Sequence, residues 1–352
     1  MNKFWQIMTA TRNTSTDAIG SLPAIRRRGF VKTMFPVLIK GLFERGLYRI
    51  ATIGFDNLVL MFMTLLLVGS AISLGGQVRL FQATVILPVV IMLFAIAMRI
   101  KRDPENWREG SMYMLRDWVP FVLVVFLYEN LAAVAGQVMP FDIAGVMREW
   151  DLVILGVEPT IWAQKIYSPL LTDIMSLSYA LYLAEPLFLM FLLSLWGKRA
   201  EFRHMALTLT FTFLLGFTGY VFLPCSPPRY FIEHLYTDPI RLQGLFFFDR
   251  LQGAWDGLSV VSGGAFPSLH VGISAVALIY AFKFRNMNKT CRIVWYAYVP
   301  MVTSLWFSTV YLRHHWVIDI FAGWFVTGVA YLVSCALMKV WRRLRMRYDL
   351  PF

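Results

Sequence analysis

Charged residues are scarce in this chain of 352 residues. They make up only 15% of it, whereas 58% of the residues are hydrophobic and the mean hydropathy is +0.59. Soluble domains carry about 25% charged residues, so the composition excludes an ordinary soluble protein and indicates a membrane protein. Three cysteines are too few for a disulfide-rich scaffold, and five histidines are too few for a clustered-histidine metal enzyme.

Long apolar runs are what the chain has in abundance. Eight of them reach, or nearly reach, the roughly 20 residues that cross about 30 Å of hydrocarbon as a helix. They predict an all-α integral membrane protein with about eight transmembrane helices. The first run begins too far from the N-terminus, and is too long, to be a cleavable signal peptide. The eight runs cover residues 55–74, 81–98, 118–139, 170–196, 202–223, 265–282, 293–310 and 316–340.

The placement of Lys and Arg gives these spans an orientation. If the N-terminus is inside, the interior segments hold 26 of the 33 basic residues and the exterior segments hold seven. This alternation follows the positive-inside rule, so we predict that both termini are cytoplasmic. Because the positive charges are scattered over five segments, they do not indicate nucleic acid as a partner. The same topology puts Cys225 outside, Cys291 inside and Cys335 within the last span, so no disulfide is expected.

The runs divide the chain into four regions. Residues 1–54 form a basic cytoplasmic segment, in which apolar residues at helical spacing over 31–50 predict a helix lying in the inner interface. Residues 55–117 add two transmembrane helices. The region 118–340 contains the other six, and 341–352 form a basic cytoplasmic tail.

Ionisable residues gather where the last run begins. His315 and Asp319 are four residues apart, so on a helix they share one face. Such an Asp can bond one ring nitrogen of His315 and leave the other exposed as a nucleophile or base. His314 is five residues from Asp319 and is expected to point elsewhere. His270 opens another apolar run, and the topology places it with His315 at the outer surface, facing periplasm, cell exterior or organelle lumen.

The residues near His270 suit a phosphate group. Arg229, in an outer segment, offers a planar fork of N–H donors. Pro267 is expected in the first turn of a helix, so that the free N–H groups of Ser268, Leu269 and His270, with the Ser268 hydroxyl, form an anion site. His270 would give a proton to the leaving oxygen. Since Arg and helix N–H groups can stabilise the developing charge, no metal or other cofactor is expected.

Two motifs resemble the type 2 phosphatidic acid phosphatase superfamily. They are FPSLH at 266–270 and YLRHHWVID at 311–319. They are similar in particular to the inositol phosphorylceramide synthase-like branch, where Pro-Ser-x-His and His-His-x-x-x-Asp patterns are typical. PPRY at 227–230 and DLVILGVEP at 151–159 also look like that branch. The resemblance covers roughly residues 118–340 and implies a six-helix catalytic core bundle.

The resemblance also implies roles for single residues. His270 would protonate the leaving group, His315 would become phosphorylated, and Asp319 would orient His315. Two usual phosphate-binding cations are missing, because Phe222 stands where the first motif of the family has Lys and Thr309 where the third has Arg. A site with fewer cations is expected to hold a monoanionic phosphodiester better than a dianionic monoester.

These observations predict a lipid phosphotransferase. A membrane lipid would donate its phosphorylated headgroup through a phosphohistidine to an alcohol or lipid acceptor. A phosphatase or pyrophosphatase, with water as acceptor, shares every catalytic residue and stays open as the alternative. A transporter would place its polar groups near the midplane, whereas here they lie at one surface. Two questions stay open: whether the aromatic residues of 230–255 anchor or cover the site, and whether Glu129 and Glu185 orient helices or line a polar path.

Overall fold

The structure, a computed structural model, describes residues 24–73, 139–237, 241–258 and 263–350, and the single residues 110, 117, 118, 124 and 239. In these residues every regular element is a helix. The two short 3-10 helices are Ala163–Ile166 and Glu233–Leu235. The α-helices are α1 Ala24–Ile53, α2 Phe55–Ser73, α3 Ala144–Leu155, α4 Pro159–Trp162, α5 Pro169–Ala180, α6 Ala184–Leu195, α7 Arg199–Phe222, α8 Pro228–Phe231, α9 Phe248–Leu258, α10 Leu269–Phe284, α11 Lys289–Tyr311 and α12 Val317–Arg347.

The protein is a multi-pass helical membrane protein. Among the described residues, α7, α11 and α12 are long and apolar enough to cross a membrane, and the α5–α6 pair counts as a fourth crossing if it is one broken span. The predicted run 55–74 coincides with α2. The run 265–282 becomes the shorter α10, which begins only at Leu269. The run 81–98, and most of 118–139 including Glu129, lie outside the described residues.

The N-terminal region is a unit of its own. The chain divides into two compact units, residues 1–51 and 52–352. Most of α1 belongs to the first unit, and this helix confirms the helical periodicity expected over 31–50. Its place in the inner interface stays a prediction. Residues 1–23 lie outside the described part of the chain.

The sequence predicted one helix over residues 170–196, but the structure has two helices there. These are α5 and α6, which are bent by 45° across a short break. In an unbroken helix the N–H of position 186 would bond the carbonyl of position 182, but Pro186 has no N–H. α6 therefore starts anew at Ala184, with Pro186 in its first turn, where a missing donor is tolerated.

Three helix starts follow a local rule. Ser168 precedes α5 and accepts a bond from the N–H of Leu171, at 3.2 Å. Asn288 precedes α11 and accepts from the N–H of Cys291, at 2.8 Å. Ser268 does the same for α10. Each side chain satisfies one N–H that the first turn leaves without an intrahelical partner.

The core of the larger unit is built around α10. This helix packs against α6, α7, α11 and α12, and most of its side chains are buried. Leu189, Met205, Val276 and Val302, from four different helices, are completely buried in one apolar cluster. Burial of α10 on every side matters for function because its first turn carries His270.

The polar residues of the core are mainly paired. Asp56, in the first turn of α2, is buried, and its Oδ1 lies 2.8 Å from an Arg203 guanidinium nitrogen. That guanidinium also stacks on Trp341, at 4.0 Å from the ring centroid. Arg199 and Asp117 form a second buried ion pair at 2.9 Å. In each ion pair the two charges compensate one another. A single unpaired charge in an apolar interior would cost far more free energy.

Glu185 is the exception. Its side chain is only 2% exposed, and neither carboxylate oxygen accepts a hydrogen bond from any described residue. Its backbone carbonyl accepts the Tyr298 hydroxyl at 2.6 Å. Within the described residues the Glu185 carboxylate therefore has no hydrogen-bond partner, and whether it orients helices or lines a polar path stays open. All three cysteines are free thiols, as predicted.

The Asp56–Arg203 pair gives a stability prediction. We expect Asp56→Ala to lower the free energy of unfolding by about 3 kcal/mol, because it leaves a buried guanidinium without this carboxylate. The double variant Asp56→Leu with Arg203→Met removes both charges and should recover most of the loss. Thermal unfolding of the detergent-solubilised protein measures both. A single variant as stable as the wild type would contradict the prediction.

Candidate active site

The structure brings the two predicted histidines into contact. His270 lies in the first turn of α10, and His315 lies in the turn between α11 and α12. Nε2 of His315 is 3.4 Å from Nδ1 of His270, and the ring centroids are 5.5 Å apart. His315 is buried, whereas His270 is partly exposed. One face of the pair is therefore open to a substrate from the side of His270.

His315 is oriented mainly by a backbone carbonyl. Its Nδ1 lies 2.8 Å from the carbonyl oxygen of Ala265 and 3.4 Å from Oδ2 of Asp319. Both neighbours are acceptors, so Nδ1 carries the proton and Nε2 keeps its lone pair. The sequence predicted Asp319 as the orienting group with the second nitrogen exposed. In the structure Asp319 is the more distant of two acceptors, and Nε2 faces His270.

Asp319 has a second task at the start of α12. Its Oδ2 accepts the backbone N–H of Trp316 at 2.9 Å, which closes the first turn of the helix. Its own carbonyl oxygen accepts the backbone N–H of Ser268 at 3.2 Å. The two histidine-bearing segments are thus tied together at both ends of the site, once through Ala265 and once through Ser268.

The predicted anion site at the start of α10 is smaller than expected. Pro267 does not lie in the first turn of the helix but precedes its cap, and its peptide bond with Phe266 is cis. The N–H of Ser268 is not free, because it donates to the Asp319 carbonyl. The Ser268 oxygen accepts the Val271 N–H at 3.4 Å. The Leu269 N–H remains at the helix N-terminus, where the helix dipole favours an anion.

Two glycines allow the segment before α10 to lie so close to its neighbours. A Cβ on Gly323 of α12 would lie 2.7 Å from the Ser268 carbonyl oxygen. A Cβ on Gly219 of α7 would lie 2.3 Å from Cδ of Pro267. Any larger residue would push the His270 segment away from His315. These helix glycines therefore serve close approach and not flexibility.

Arg229 belongs to the same region. Its backbone N–H donates to the carbonyl of Arg313 at 3.0 Å, which joins the outer segment to the His315 turn. Its guanidinium lies over Tyr230, at 4.6 Å from the ring centroid. Burial, and after it the positive charge of Arg229, hold the pKa of His314 well below its ordinary value. His314 is therefore neutral, and a cation is near the histidines.

Sequence reasoning missed Tyr179, the aromatic residue that lies next to the histidines. Tyr179 stacks between His270 and His314, with centroid distances of 4.1 and 4.6 Å. Trp255 of α9 meets both Tyr179 and His314 edge-on, at 4.9 and 5.6 Å. His314, expected to point elsewhere, is thus part of the cluster through Tyr179. No local motif signals Tyr179, which reaches the site only through the packing of α5.

Asp151 of α3 also contributes from a distance. Its two carboxylate oxygens accept the N–H groups of Val317 and Ile318, at 2.8 and 2.9 Å, and so cap α12 just beyond His315. Burial raises the pKa of Asp151 to about 6, so the carboxylate is still mainly ionised at neutral pH. The sequence placed Asp151 in a motif of the resemblance without assigning it a task.

Asp173 holds the segment that covers the cluster. Its carboxylate accepts four consecutive N–H groups, from residues 245–248, at 2.7 to 3.0 Å. This arrangement caps α9, which carries Trp255. Phe248 is buried against the site, whereas Phe246 is 68% exposed. The aromatic segment therefore has one part that covers the histidine cluster and one part that points outward.

A polar pocket of about 690 Å³ opens beside the cluster. Its lining includes the cations Arg229 and Arg313 together with Glu233, Asp249 and Gln252. The Arg313 guanidinium donates to the Pro239 carbonyl at 2.9 Å and stacks on Tyr236 at 3.7 Å. Cations and hydroxyl-binding groups share this pocket, which is the chemistry that a phosphorylated polyol requires.

The other polar histidine cluster is far from this site. His204 contacts Lys283 at 3.0 Å and Cys335 at 3.5 Å, near the C-terminal end of α10. His270 lies thirteen residues earlier on α10 than Lys283, a separation of roughly 20 Å. Among the described residues, no group of three or more His, Cys, Asp and Glu side chains could hold a metal ion.

Fold and site together define a class: a multi-pass helical membrane protein with two opposed histidines at the ends of neighbouring helices. A family model for the PAP2 superfamily matches residues 153–333, just over half of the chain. The chain therefore belongs to the PAP2 superfamily, which confirms the resemblance seen in its motifs. The matched region includes both histidines, Asp319, Arg229 and Tyr179.

Curated relatives agree with this assignment. The chain is 31% identical over 167 residues to the phosphoinositol dihydroceramide synthase of Bacteroides thetaiotaomicron, covering 44% of this chain and 50% of that protein. It is 28% identical over 187 residues to the catalytic subunit of inositol phosphorylceramide synthase of Schizosaccharomyces pombe, covering 48% and 42%. For the inositol phosphorylceramide synthase of Candida albicans the identity is 25% over 213 residues, covering 52% and 42%. The chain thus matches about half or less of these relatives' lengths. No solved structure matches it.

The Asp151 cap gives a prediction for the site. Asp151→Ala removes both acceptors from the start of α12, and we expect it to lower the free energy of unfolding by about 1–2 kcal/mol. Turnover should fall as well, because His315 directly precedes the freed turn. Asp151→Asn keeps one acceptor oxygen and should lie between the two. Thermal unfolding and lipid turnover measure these effects, and an alanine variant equal to the wild type in both would exclude the role.

Proposed function

We propose that the protein is a membrane lipid phosphotransferase that moves a phosphorylated polyol headgroup from a phospholipid to the hydroxyl of a second lipid. The observation that carries this proposal is the pair His315 and His270, 3.4 Å apart, beside the Arg229 pocket. The names of the relatives make a phosphoinositol headgroup and a ceramide-type acceptor the first substrates to test. No metal or other cofactor takes part in the proposed reaction.

The reaction proceeds in two steps. Nε2 of His315 attacks the phosphorus of the donor, and the bond from phosphorus to the diacylglycerol oxygen breaks while His270 gives that oxygen a proton. The phosphohistidine then meets the acceptor hydroxyl. His270 takes the hydroxyl proton, the acceptor oxygen bonds to phosphorus, and the bond to His315 breaks. Arg229, the Leu269 N–H and the Ser268 hydroxyl stabilise the charge on the phosphoryl oxygens.

The charge of the site favours a phosphodiester donor. Phe222 and Thr309 occupy positions where lipid phosphatases of this family carry cations, and Thr309 is completely buried. Its carbonyl accepts the N–H groups of His314 and His315, so Thr309 shapes the turn and supplies no positive charge for phosphate. A monoanionic diester needs less positive charge than a dianionic monoester does.

An apolar groove supports a lipid donor. It has a volume of about 470 Å³ and runs between α3 and α12, where Trp150 and Phe325 form part of its exposed wall. Phe266 and Ile318 also line it, and each is near a site residue, Pro267 and Asp319 respectively. We assign the groove to an acyl chain of the lipid substrate, because its lining is apolar and includes the chain neighbours of Pro267 and Asp319.

A phosphatase, with water as acceptor, uses the same catalytic residues. The cover formed by Trp255 over Tyr179 and His314 favours the transferase, because a phosphohistidine must be kept from water until the acceptor arrives. We further propose the topology predicted from charge: eight spans, a six-helix core within 118–340, cytoplasmic termini, and a site that faces the periplasm, cell exterior or organelle lumen.

The two histidines give distinct kinetic predictions. His315→Ala should abolish both turnover and any acid-labile phosphoenzyme, because the nucleophile is lost. His270→Ala should slow formation of the phosphoenzyme by about 10²–10⁴-fold, the usual contribution of a general acid. Labelled phospholipid, with quenching in alkaline detergent that preserves phosphohistidine, measures both. His234→Ala changes an exposed histidine outside the cluster and serves as the matched control. Normal turnover in either test variant would remove that residue from the mechanism.

The choice of donor tests the proposed function itself. Purified protein in mixed micelles should transfer the headgroup of phosphatidylinositol to ceramide faster than it hydrolyses phosphatidic acid, because the site lacks two cations. Mass spectrometry of the lipid products, with and without ceramide, distinguishes transfer from hydrolysis. Faster hydrolysis of phosphatidic acid would make the phosphatase the better description.

A further inference from the structure

His270 has two polar neighbours at the same ring nitrogen. Its Nδ1 lies 3.4 Å from Nε2 of His315 and 3.3 Å from the hydroxyl oxygen of Tyr179. The lone pair on Nε2 of His315 points toward this nitrogen, because the proton of His315 is held on Nδ1 by the Ala265 carbonyl. When Nδ1 of His270 carries a proton, it can donate a hydrogen bond either to the Tyr179 oxygen or to Nε2 of His315.

The two possible bonds have opposite effects on chemistry. If Nδ1 of His270 donates to His315, the lone pair that must attack phosphorus is engaged, and the nucleophile is blocked. If Nδ1 donates to the Tyr179 oxygen, Nε2 of His315 is released. Two imidazoles this close therefore block the nucleophile unless a third group accepts the hydrogen bond from Nδ1–H of His270.

We propose that Tyr179 is a positioning residue whose hydroxyl oxygen accepts a hydrogen bond from the Nδ1–H of His270. This bond keeps the nucleophilic nitrogen of His315 available. This inference rests on the proposed phosphotransfer through the two histidines. Nδ1 of His270 keeps its proton throughout the reaction, and the proton transfers to the leaving oxygen and from the acceptor hydroxyl take place at Nε2. Tyr179 itself neither gains nor loses a proton.

The fold holds the Tyr179 hydroxyl in place by several contacts. The ring is 5% exposed and stacks almost parallel to both His270 and His314, with interplanar angles of 23° and 18°. Trp255 packs on its edge. Tyr179 is the second-last residue of α5, and Tyr182, in the break before α6, contacts the His270 ring at 4.2 Å. The break of this span thus delivers two aromatic rings to one imidazole.

Arg229, His314 and Asp319 are the other ionisable groups that face the pair. Arg229 stays a cation, and the depressed pKa of His314 keeps that ring neutral. Asp319 faces His315 from α12 and is held by the Trp316 N–H. Tyr182 presents its ring to His270. The limbs of a bell-shaped pH profile should therefore report the two catalytic imidazoles.

The test is the pH profile of Tyr179→Phe, with phosphatidylinositol as donor and ceramide as acceptor. Without the hydroxyl, Nδ1 of His270 donates its hydrogen bond to Nε2 of His315. The proton shared between the two rings is then held more tightly than in the wild type. We expect kcat to fall about tenfold, the effect of a hydrogen bond to a charged group. KM should change less than twofold, and each limb of the profile should move outward by about one pH unit. A lower but unwidened profile would indicate a purely structural role and overturn the inference, as would an unchanged one.

A second measurement needs no turnover. Diethyl pyrocarbonate modifies unprotonated imidazole nitrogens that have a free lone pair, and mass spectrometry identifies the modified residue. We expect modification of His315 to slow about tenfold in Tyr179→Phe, because its lone pair is engaged. Equal or faster modification in a variant that unfolds at the wild-type temperature would contradict the inference. If the reagent modifies His315 of the wild-type protein as expected but the protein transfers no headgroup, the proposed function fails. The modification rates of the wild type and Tyr179→Phe still test the role of Tyr179.

Tyr311→Phe is the matched control for both measurements. Its hydroxyl is buried and bonds to Oγ1 of Thr172, at 3.0 Å, on the same helix as Tyr179. The variant therefore loses a buried tyrosine hydroxyl and one hydrogen bond without a change at His270. We expect its pH profile to have the wild-type width and His315 to be modified at the wild-type rate. A profile widened like that of Tyr179→Phe would show that the effect is not specific to Tyr179.

Discussion

Two hydrogen bonds between backbone segments hold the candidate site together. The Ala265 carbonyl lies 2.8 Å from Nδ1 of His315, and the Asp319 carbonyl accepts the N–H of Ser268. Each bond joins the start of α10 to the start of α12, and they run in opposite directions between the two segments. Together they set the distance between His270 and His315 and decide which nitrogen of His315 keeps its lone pair. Glycines at close packing positions allow the two helix starts to come this near.

Buried carboxylates organise the surroundings of this pair. Asp151 caps α12 from α3, and Asp173 caps α9 from α5, so that each carboxylate satisfies N–H groups of a helix other than its own. A carboxylate in an apolar bundle is tolerated when it accepts several such bonds. The effect is to join distant parts of the chain around the histidines. α9 then brings Trp255 over the site, and α12 brings His315 to it.

The site also shows why residue spacing has limited predictive reach. His315 and Asp319 do come together, as i and i+4 spacing indicates, although His315 lies in the turn before α12 and not on the helix. The spacing carries no information about Ala265, which approaches Nδ1 more closely than Asp319 does. Likewise, the sequence placed Pro267 in the first turn of α10, two residues before the helix begins at Leu269, because the chain before Pro267 is held by Cys225 and not by helix geometry. No local pattern pairs Asp56 with Arg203 either, because the two residues lie 147 positions apart.

What the sequence by itself determined is the class of protein and the two histidines of the candidate site. Long apolar runs require helices in a membrane, and the motifs around His270 and His315 identify the family. Only the tertiary structure decided the broken span, the buried ion pairs, and the places of Tyr179, Trp255, Asp151 and Asp173. The physical reason is range: helix periodicity and caps depend on neighbours within one turn. The contacts that aim these side chains join segments separated by tens of residues, and they exist only once the helices pack.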